Sequence, residues 1–308
     1  MPISQVRDAV AGGIWGLLVG DALGVPFEFQ TGLGPDAIEM PPPPGFHRSH
    51  SDAPPQAWSD DGAQALCLLA SLLDCGRLDL DDLGRRLLRW EFEGYLAVDG
   101  VVFDVGTQTR RALALLRRGV PPEQAGRAGE SGNGNGSLMR VLPLALWHQG
   151  SDVDLVRDAA RQSVITHGHI RSQVCCALYC LWVRAVLHGA GHPWESAVRV
   201  VREAASSLPG WTAELDDHIR PETAPAGSGS GYVVDCLHSA RLAAQEATFE
   251  QAIRKAISLG PDTDTTAAVT GGVAGVRHGL RGVPHRWLAA LAGRSLAEPL
   301  VSRLIERW

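Results

Sequence analysis

A chain of 308 residues, 45% hydrophobic and 20% charged, carries enough apolar material for one sizeable core and is read as one domain over residues 1–308. Its net charge of −6 argues against a general nucleic-acid surface. No basic leader and no run of about 20 apolar residues is apparent, so neither a signal peptide nor a membrane span is expected.

The apolar spacing is helical nearly throughout, with no strand alternation and no hairpin signal, so the expected fold is all-α, a compact orthogonal bundle. The first predicted helix, 7–23, ends in small residues, Gly20-Asp21-Ala22-Leu23-Gly24, and leads to Glu28 between Phe27 and Phe29. Such an acid is either a surface loop residue or a buried one whose pKa rises unless a cation offsets it. Residues 31–57 contain Pro41-Pro42-Pro43-Pro44 and are not helical through that run. Helix 62–73 follows Ser59, Asp60 and Asp61. Serine caps helix starts and acids in the first turn suit the helix dipole, so on its own this is ordinary capping.

Helices 81–91 and 107–118 come next, the second carrying Arg110 and Arg111, which either attract phosphates or, more commonly, pair with surface acids. In Gly132-Asn133-Gly134-Asn135-Gly136-Ser137 the glycines let backbone approach a ligand, and N–H groups opening helix 137–148 can hold a phosphate. The turn lacks the Lys-Ser/Thr ending of a P-loop. Helix 153–162 precedes Thr166-His167-Gly168-His169, where no further ligand follows at zinc spacing, so His167 is read as a core or cleft-lining residue. Helices 170–188 and 194–206 lead to a long loop, 208–231, that runs through Trp211 into a Gly/Ser tract. Long loops of this kind are often functional, and Trp211 is taken as a substrate-contact candidate. Helices 232–245, 249–258, 265–278 and 285–306 complete the chain. The six cysteines form no C-x-x-C pair and read as free core thiols of a cytoplasmic protein.

One repetition changes the reading of Asp60 and Asp61. Asp262 and Asp264, with Thr263 and Thr265 interleaved, open a second small-residue helix in the same way. If both helices are buried, two acidic mouths meet, and their repulsion calls for positive charge between them. Carboxylate and hydroxyl donors suit Mg²⁺ or Mn²⁺ better than Zn²⁺.

The ordered motifs G-D-A-L-G-x-P-x-E at 20–28, W-S-D-D at 58–61, D-x-G at 104–106, G-N-G-S-L-M-R at 134–140, T-H at 166–167 and D-T-D-T at 262–265 span almost the whole chain. Together they resemble the ADP-ribosylglycohydrolase family. The stretch from Ser230 to Asp235 is more similar to the bacterial dinitrogen-reductase branch than to the serine-specific one. The resemblance implies an all-α fold with a two-ion Mg²⁺ or Mn²⁺ centre in a cleft. Ser59, Asp60 and Asp61 would be ligands from one helix start, and Asp262, Asp264 and Thr265 from the other. Glu28 would lie beside the metals and Asp104 near the scissile bond, with Glu28, Asp104 and Asp61 as the catalytic set. Residues 132–137 and His167 would approach the diphosphate and ribose, and Tyr232 is the candidate for stacking on adenine.

The implied reaction is hydrolysis at C1″ of an ADP-ribosyl group, most readily one carried by arginine on a protein, by a monomeric enzyme. O-linked or nucleobase-linked ADP-ribose, O-acetyl-ADP-ribose and other small conjugates stay open as substrates. Rival readings are a phosphohydrolase cutting the diphosphate and a non-catalytic ADP-ribose binder. Ser59 stands where the family usually has threonine, and Gly62, Pro261 and Thr266 also depart from it. These changes surround the expected ligands without removing any of them.

Overall fold

The computed structural model describes residues 2–30, 34–223 and 225–308, so Thr31, Gly32 and Leu33 of the first long loop and Ala224 of the second lie outside it. About 64% of the chain is helical and the described residues contain no sheet, only the isolated bridges Arg127–His167 and Gly134–Tyr232. In chain order the α-helices are α1 (Ile3–Gly24), α2 (Asp60–Cys75), α3 (Leu80–Glu93), α4 (Thr107–Arg117), α5 (Pro122–Ala125), α6 (Leu142–Trp147), α7 (Asp152–Val164) and α8 (Ile170–Leu187). There follow α9 (Pro193–Ala205), α10 (Trp211–Ala213), α11 (Val233–Ala243), α12 (Phe249–Leu259), α13 (Thr263–His278), α14 (His285–Ala290) and α15 (Arg294–Ile305).

The differences from the sequence expectation have local causes. Expected helix 137–148 shrinks to α6 because Pro143 lacks an N–H and can only sit in a first turn. Expected helix 285–306 is broken between α14 and α15, where Gly293 adopts φ 73°. The loop 208–231 is partly helical: α10 runs into a π-helical segment, Glu214–Ile219, and buries Trp211, Leu215 and Ile219. Trp211 is thus a core residue and not a substrate contact.

Two helices, within Ile3–Phe27 and Ile170–Leu187, are long and apolar enough to cross a membrane, contrary to the sequence reading. Both are mostly buried inside the protein, the first completely. A helix apolar on every side is what the centre of a helical fold requires.

The centre is the pair α1 and α13, which touch backbone to backbone. Small residues recur every fourth position on the contact face of α1. A Cβ built on Gly16 would stand 2.3 Å from the Gly271 carbonyl oxygen, and one on Gly24 would stand 2.4 Å from Asp264 Cα. This contact delivers the end of α1 onto the start of α13, and the Thr263 hydroxyl donates to the Gly24 carbonyl at 2.8 Å. Substituting Gly16→Ala must push two helices apart, since the obstructing atom is backbone. The expected loss is at least about 1–3 kcal/mol in urea unfolding, and an unchanged midpoint would contradict the contact.

Candidate active site

Ser59 N-caps α2, its hydroxyl accepting from Asp61 N–H at 3.3 Å, so Asp60 and Asp61 occupy the first turn as expected. Capping is not their whole role. Both are buried, at 4% and 0% exposure, where a capping acid would normally be wet. Asp262 stands at the N-cap position of α13 without a side-chain capping bond, and Asp264 and Thr265 in the first turn are buried. The two mouths meet: Thr265 Oγ1 donates to Asp61 Oδ2 at 3.2 Å across 204 residues of sequence.

The acids crowd. Glu28, Asp262 and Asp264 offer carboxylate oxygens within 4.8 Å of one another. Burial pushes Asp60, Asp61 and Asp264 well above the ordinary carboxylate range, and neighbouring carboxylates add to it. Asp262 rises for the same first reason, opposed by an Asn135 amide that donates to its Oδ2 at 2.9 Å. Glu28 is raised to about 7, chiefly by burial, with His50 pulling it back.

Two carboxylate oxygens, Asp61 Oδ1 and Asp264 Oδ2, are buried with no hydrogen-bond partner. An unpartnered buried acceptor is costly, and these two come from opposite helix mouths. With an all-oxygen donor set around them, the residues fit hard divalent cations.

Above the acids lies a cleft of about 290 Å³. Glu28, Asp60, Asp104, Gly134, Asn135, Gly136, His167, Asp262 and Thr265 line it, while Ser59, Asp61 and Asp264 lie beneath. A larger cavity of about 620 Å³, bordered by His148, Arg184 and Trp308, contains none of these acids.

Gly134 and Gly136 sit against the His167 imidazole; a Cβ on Gly136 would come within 2.8 Å of the ring. His167 is neutral, burial having pushed it down to about 3. Its neighbour His169 instead caps α8 and faces Glu130, so the two rings do not converge.

Four of the candidate substrate residues stand elsewhere. Ser137 is buried and its hydroxyl accepts from Ser163 at 2.8 Å. Gly132 turns back on Gly129, and the Asn133 amide donates to the Glu130 carbonyl. Tyr232 lies at the rim, 38% exposed, its hydroxyl accepting from Arg171.

Sequence reasoning missed two groups here. The Asp21 carboxylate caps α2 from a different helix, accepting Ser59 N–H at 2.9 Å and Gly62 N–H at 2.7 Å. The signal was available: a lone charge inside the apolar, buried stretch of α1 from Ala9 to Gly24. His50 came with no signal. It reaches in from the proline-rich loop, touches Glu28, and lies 3.8 Å from Asp104. Phe29, His50 and Asp104, all non-glycine, have left-handed backbone (φ 60°, 51° and 56°) and meet on this wall, a concentration of strain expected at a functional site.

An all-helical fold that gathers carboxylates beneath a polar cleft is the framework of a metal-dependent hydrolase. The family model described as ADP-ribosylglycohydrolase matches residues 2–308, and the chain belongs to that family, whose members are metal-dependent glycosidic-bond hydrolases. It is 30% identical to the ADP-ribosylarginine hydrolase Tri1 of Pseudomonas putida (strain GB-1), over 98% of this chain and 79% of that protein. It is also 30% identical to the ADP-ribosyl-[dinitrogen reductase] glycohydrolase of Rhodospirillum rubrum, over 93% and 91% of the respective chains. A solved "ADP-ribosylglycohydrolase-related protein complex" superposes with a TM-score of 0.77 at 34% identity, covering 98% of this chain and 99% of the other.

Proposed function

We propose that this enzyme hydrolyses the C1″–N bond between ADP-ribose and an arginine side chain of a protein, using two Mg²⁺ or Mn²⁺ ions. Ser59, Asp60 and Asp61 would hold the ions from α2, and Asp262, Asp264 and Thr265 from α13. The observation that carries this reading is the junction of the two mouths by the Thr265–Asp61 hydrogen bond, with one unpartnered carboxylate oxygen on each side. Such ions supply Lewis acidity at ribose hydroxyls and make bound water more acidic. Arginine as the linked residue draws support from the relatives named for that activity.

The chain's own residues handle the proton traffic. Hydrolysis forms a bond from water oxygen to C1″ and breaks C1″–N; one proton leaves the water and one reaches the departing nitrogen. Glu28 and Asp104 share that task in this reading. Both face the cleft, both are raised by burial, and His50 touches the first and approaches the second. Gly134 and Gly136 admit the ligand's backbone-facing phosphates, and His167 borders the same wall. The free thiols of all six cysteines support a reducing, cytoplasmic setting.

The test is a substrate panel: peptides ADP-ribosylated on arginine or serine, and O-acetyl-ADP-ribose, each with Mg²⁺, Mn²⁺ or chelator. Release of intact ADP-ribose from the arginine peptide, abolished by chelator, is the expected result. Release of AMP, or preference for the serine peptide, would overturn the assignment.

A further inference from the structure

Arg140 ends the G-N-G-S-L-M-R stretch and is completely buried. A guanidinium in that position normally faces a carboxylate. Here every acceptor it reaches is neutral. Its Nε donates to Gln162 Oε1 at 3.1 Å and Nη2 to the Gln162 carbonyl at 3.0 Å. Its Nη1 donates to three groups: Gln64 Oε1 at 3.2 Å, the Gly136 carbonyl at 3.1 Å and Thr166 Oγ1 at 2.8 Å. Burial brings its pKa down to about 10, which leaves it charged at neutral pH. An arginine held this way is costly for stability alone, since neutral residues of the same volume would pack without the desolvation.

Each Nη1 contact leads to the cleft. Gln64 sits one turn after Asp60 on α2; its amide oxygen accepts from Arg140 while its amide nitrogen donates to Asp60 Oδ2 at 3.0 Å. The positive charge is thereby delivered through one side-chain amide to a carboxylate on the cleft floor. Along the second contact, Thr166 Oγ1 accepts from Arg140 and lies 2.8 Å from His167 Nδ1. Among the described residues Nδ1 is the only acceptor within reach of this hydroxyl, so its hydrogen turns to Nδ1 while its oxygen accepts from Arg140. The neutral imidazole then carries its proton on Nε2, the nitrogen beside Gly134 and Gly136 in the cleft. The third contact holds the glycine turn itself through the Gly136 carbonyl.

We propose that Arg140 is a positioning residue that ties the two halves of the active site together, orienting Asp60 through Gln64 and presenting the His167 Nε2–H to ligand through Thr166. The proposal rests on the reading above for the roles of Asp60 and His167. It gives the two contacts separable consequences, which a purely structural arginine would not have.

The experiment uses the purified full chain with Gln64→Leu, Thr166→Val and Arg140→Lys. Three quantities are read: Mn²⁺ affinity by calorimetry without substrate, kcat and KM on the best substrate, and the tautomer of His167 from its ring ¹⁵N shifts. Gln64→Leu is expected to weaken Mn²⁺ binding about 10–100-fold, the usual effect of removing a ligand's supporting hydrogen bond, with His167 unchanged. Thr166→Val is expected to leave Mn²⁺ affinity unchanged, raise KM, and shift His167 from pure Nε2–H to a mixture of tautomers. Arg140→Lys, if folded, should show both defects. Variants that lower only the melting temperature, or single variants that lose both properties together, overturn the proposal. If the unaltered chain binds no divalent cation, the metal reading fails instead, and the His167 tautomer in Thr166→Val decides the Arg140 proposal alone.

Discussion

Replacing Asp60 with alanine is expected to lower Mn²⁺ affinity by more than about a hundredfold and reduce turnover to background. That figure exceeds the loss usual for a residue that merely supports a ligand, because Asp60 would be a ligand itself. The fold should survive, since Ser59 and Asp21 still cap α2 and alanine suits a helix. A second consequence has the opposite sign. Without metal, Asp60 is a buried acid among acids, so its removal should raise the melting temperature in chelator while lowering it in Mn²⁺. Thermal melts in the two buffers, with calorimetry of Mn²⁺ binding, check both signs. Unaltered Mn²⁺ affinity would strike Asp60 from the proposed ligand set.

The second large effect concerns metal removal and pH. Asp21 and Glu28 rise to about 7, and Asp60, Asp61 and Asp264 also rise well above the ordinary range, with burial the first cause in each. Unfolded, the same groups titrate near about 4. The unfolded chain therefore gives up protons first as pH climbs. The contribution of these acids to the stability of the metal-free protein is fully present below about pH 4 and falls as pH rises toward about 7. Divalent cation should reverse the loss most where the ligands are already deprotonated. At about 100 times its Kd each ion adds about 2.7 kcal/mol, a rise of about 5 °C in melting temperature per ion. Melts from pH 5 to 8, with chelator or with Mn²⁺, check this; a difference independent of pH would contradict the buried acid cluster.

The parts of this molecule legible in the sequence are those whose cause is local. Ser59-Asp60-Asp61 and Asp262-Thr263-Asp264-Thr265 each follow the chemistry of a helix start, and their repetition is visible without coordinates. Helical spacing located most of the helices because buried faces impose it. What escaped depends on contacts distant in sequence. His50 belongs to a loop whose path no propensity predicts. The pairing of Arg140 with Gln64 bridges 76 residues. Tyr232 was placed by a motif, but its hydroxyl is held at the rim by Arg171, which the motif does not include. One miss was avoidable: Trp211, Leu215 and Ile219 recur every fourth residue and all are buried, a helical stripe hidden by the glycine and proline around it.

The contact between α1 and α13 has an engineering consequence. Because peptide meets peptide there, the floor of the cleft is referenced to a datum with no adjustable part. No change of rotamer can widen it, and any substituent on either face acts as a shim. Attempts to broaden the range of accepted substrates should therefore leave this joint alone and begin at the lip of the cleft, at the exposed Tyr232, where a side chain can be exchanged without moving the frame.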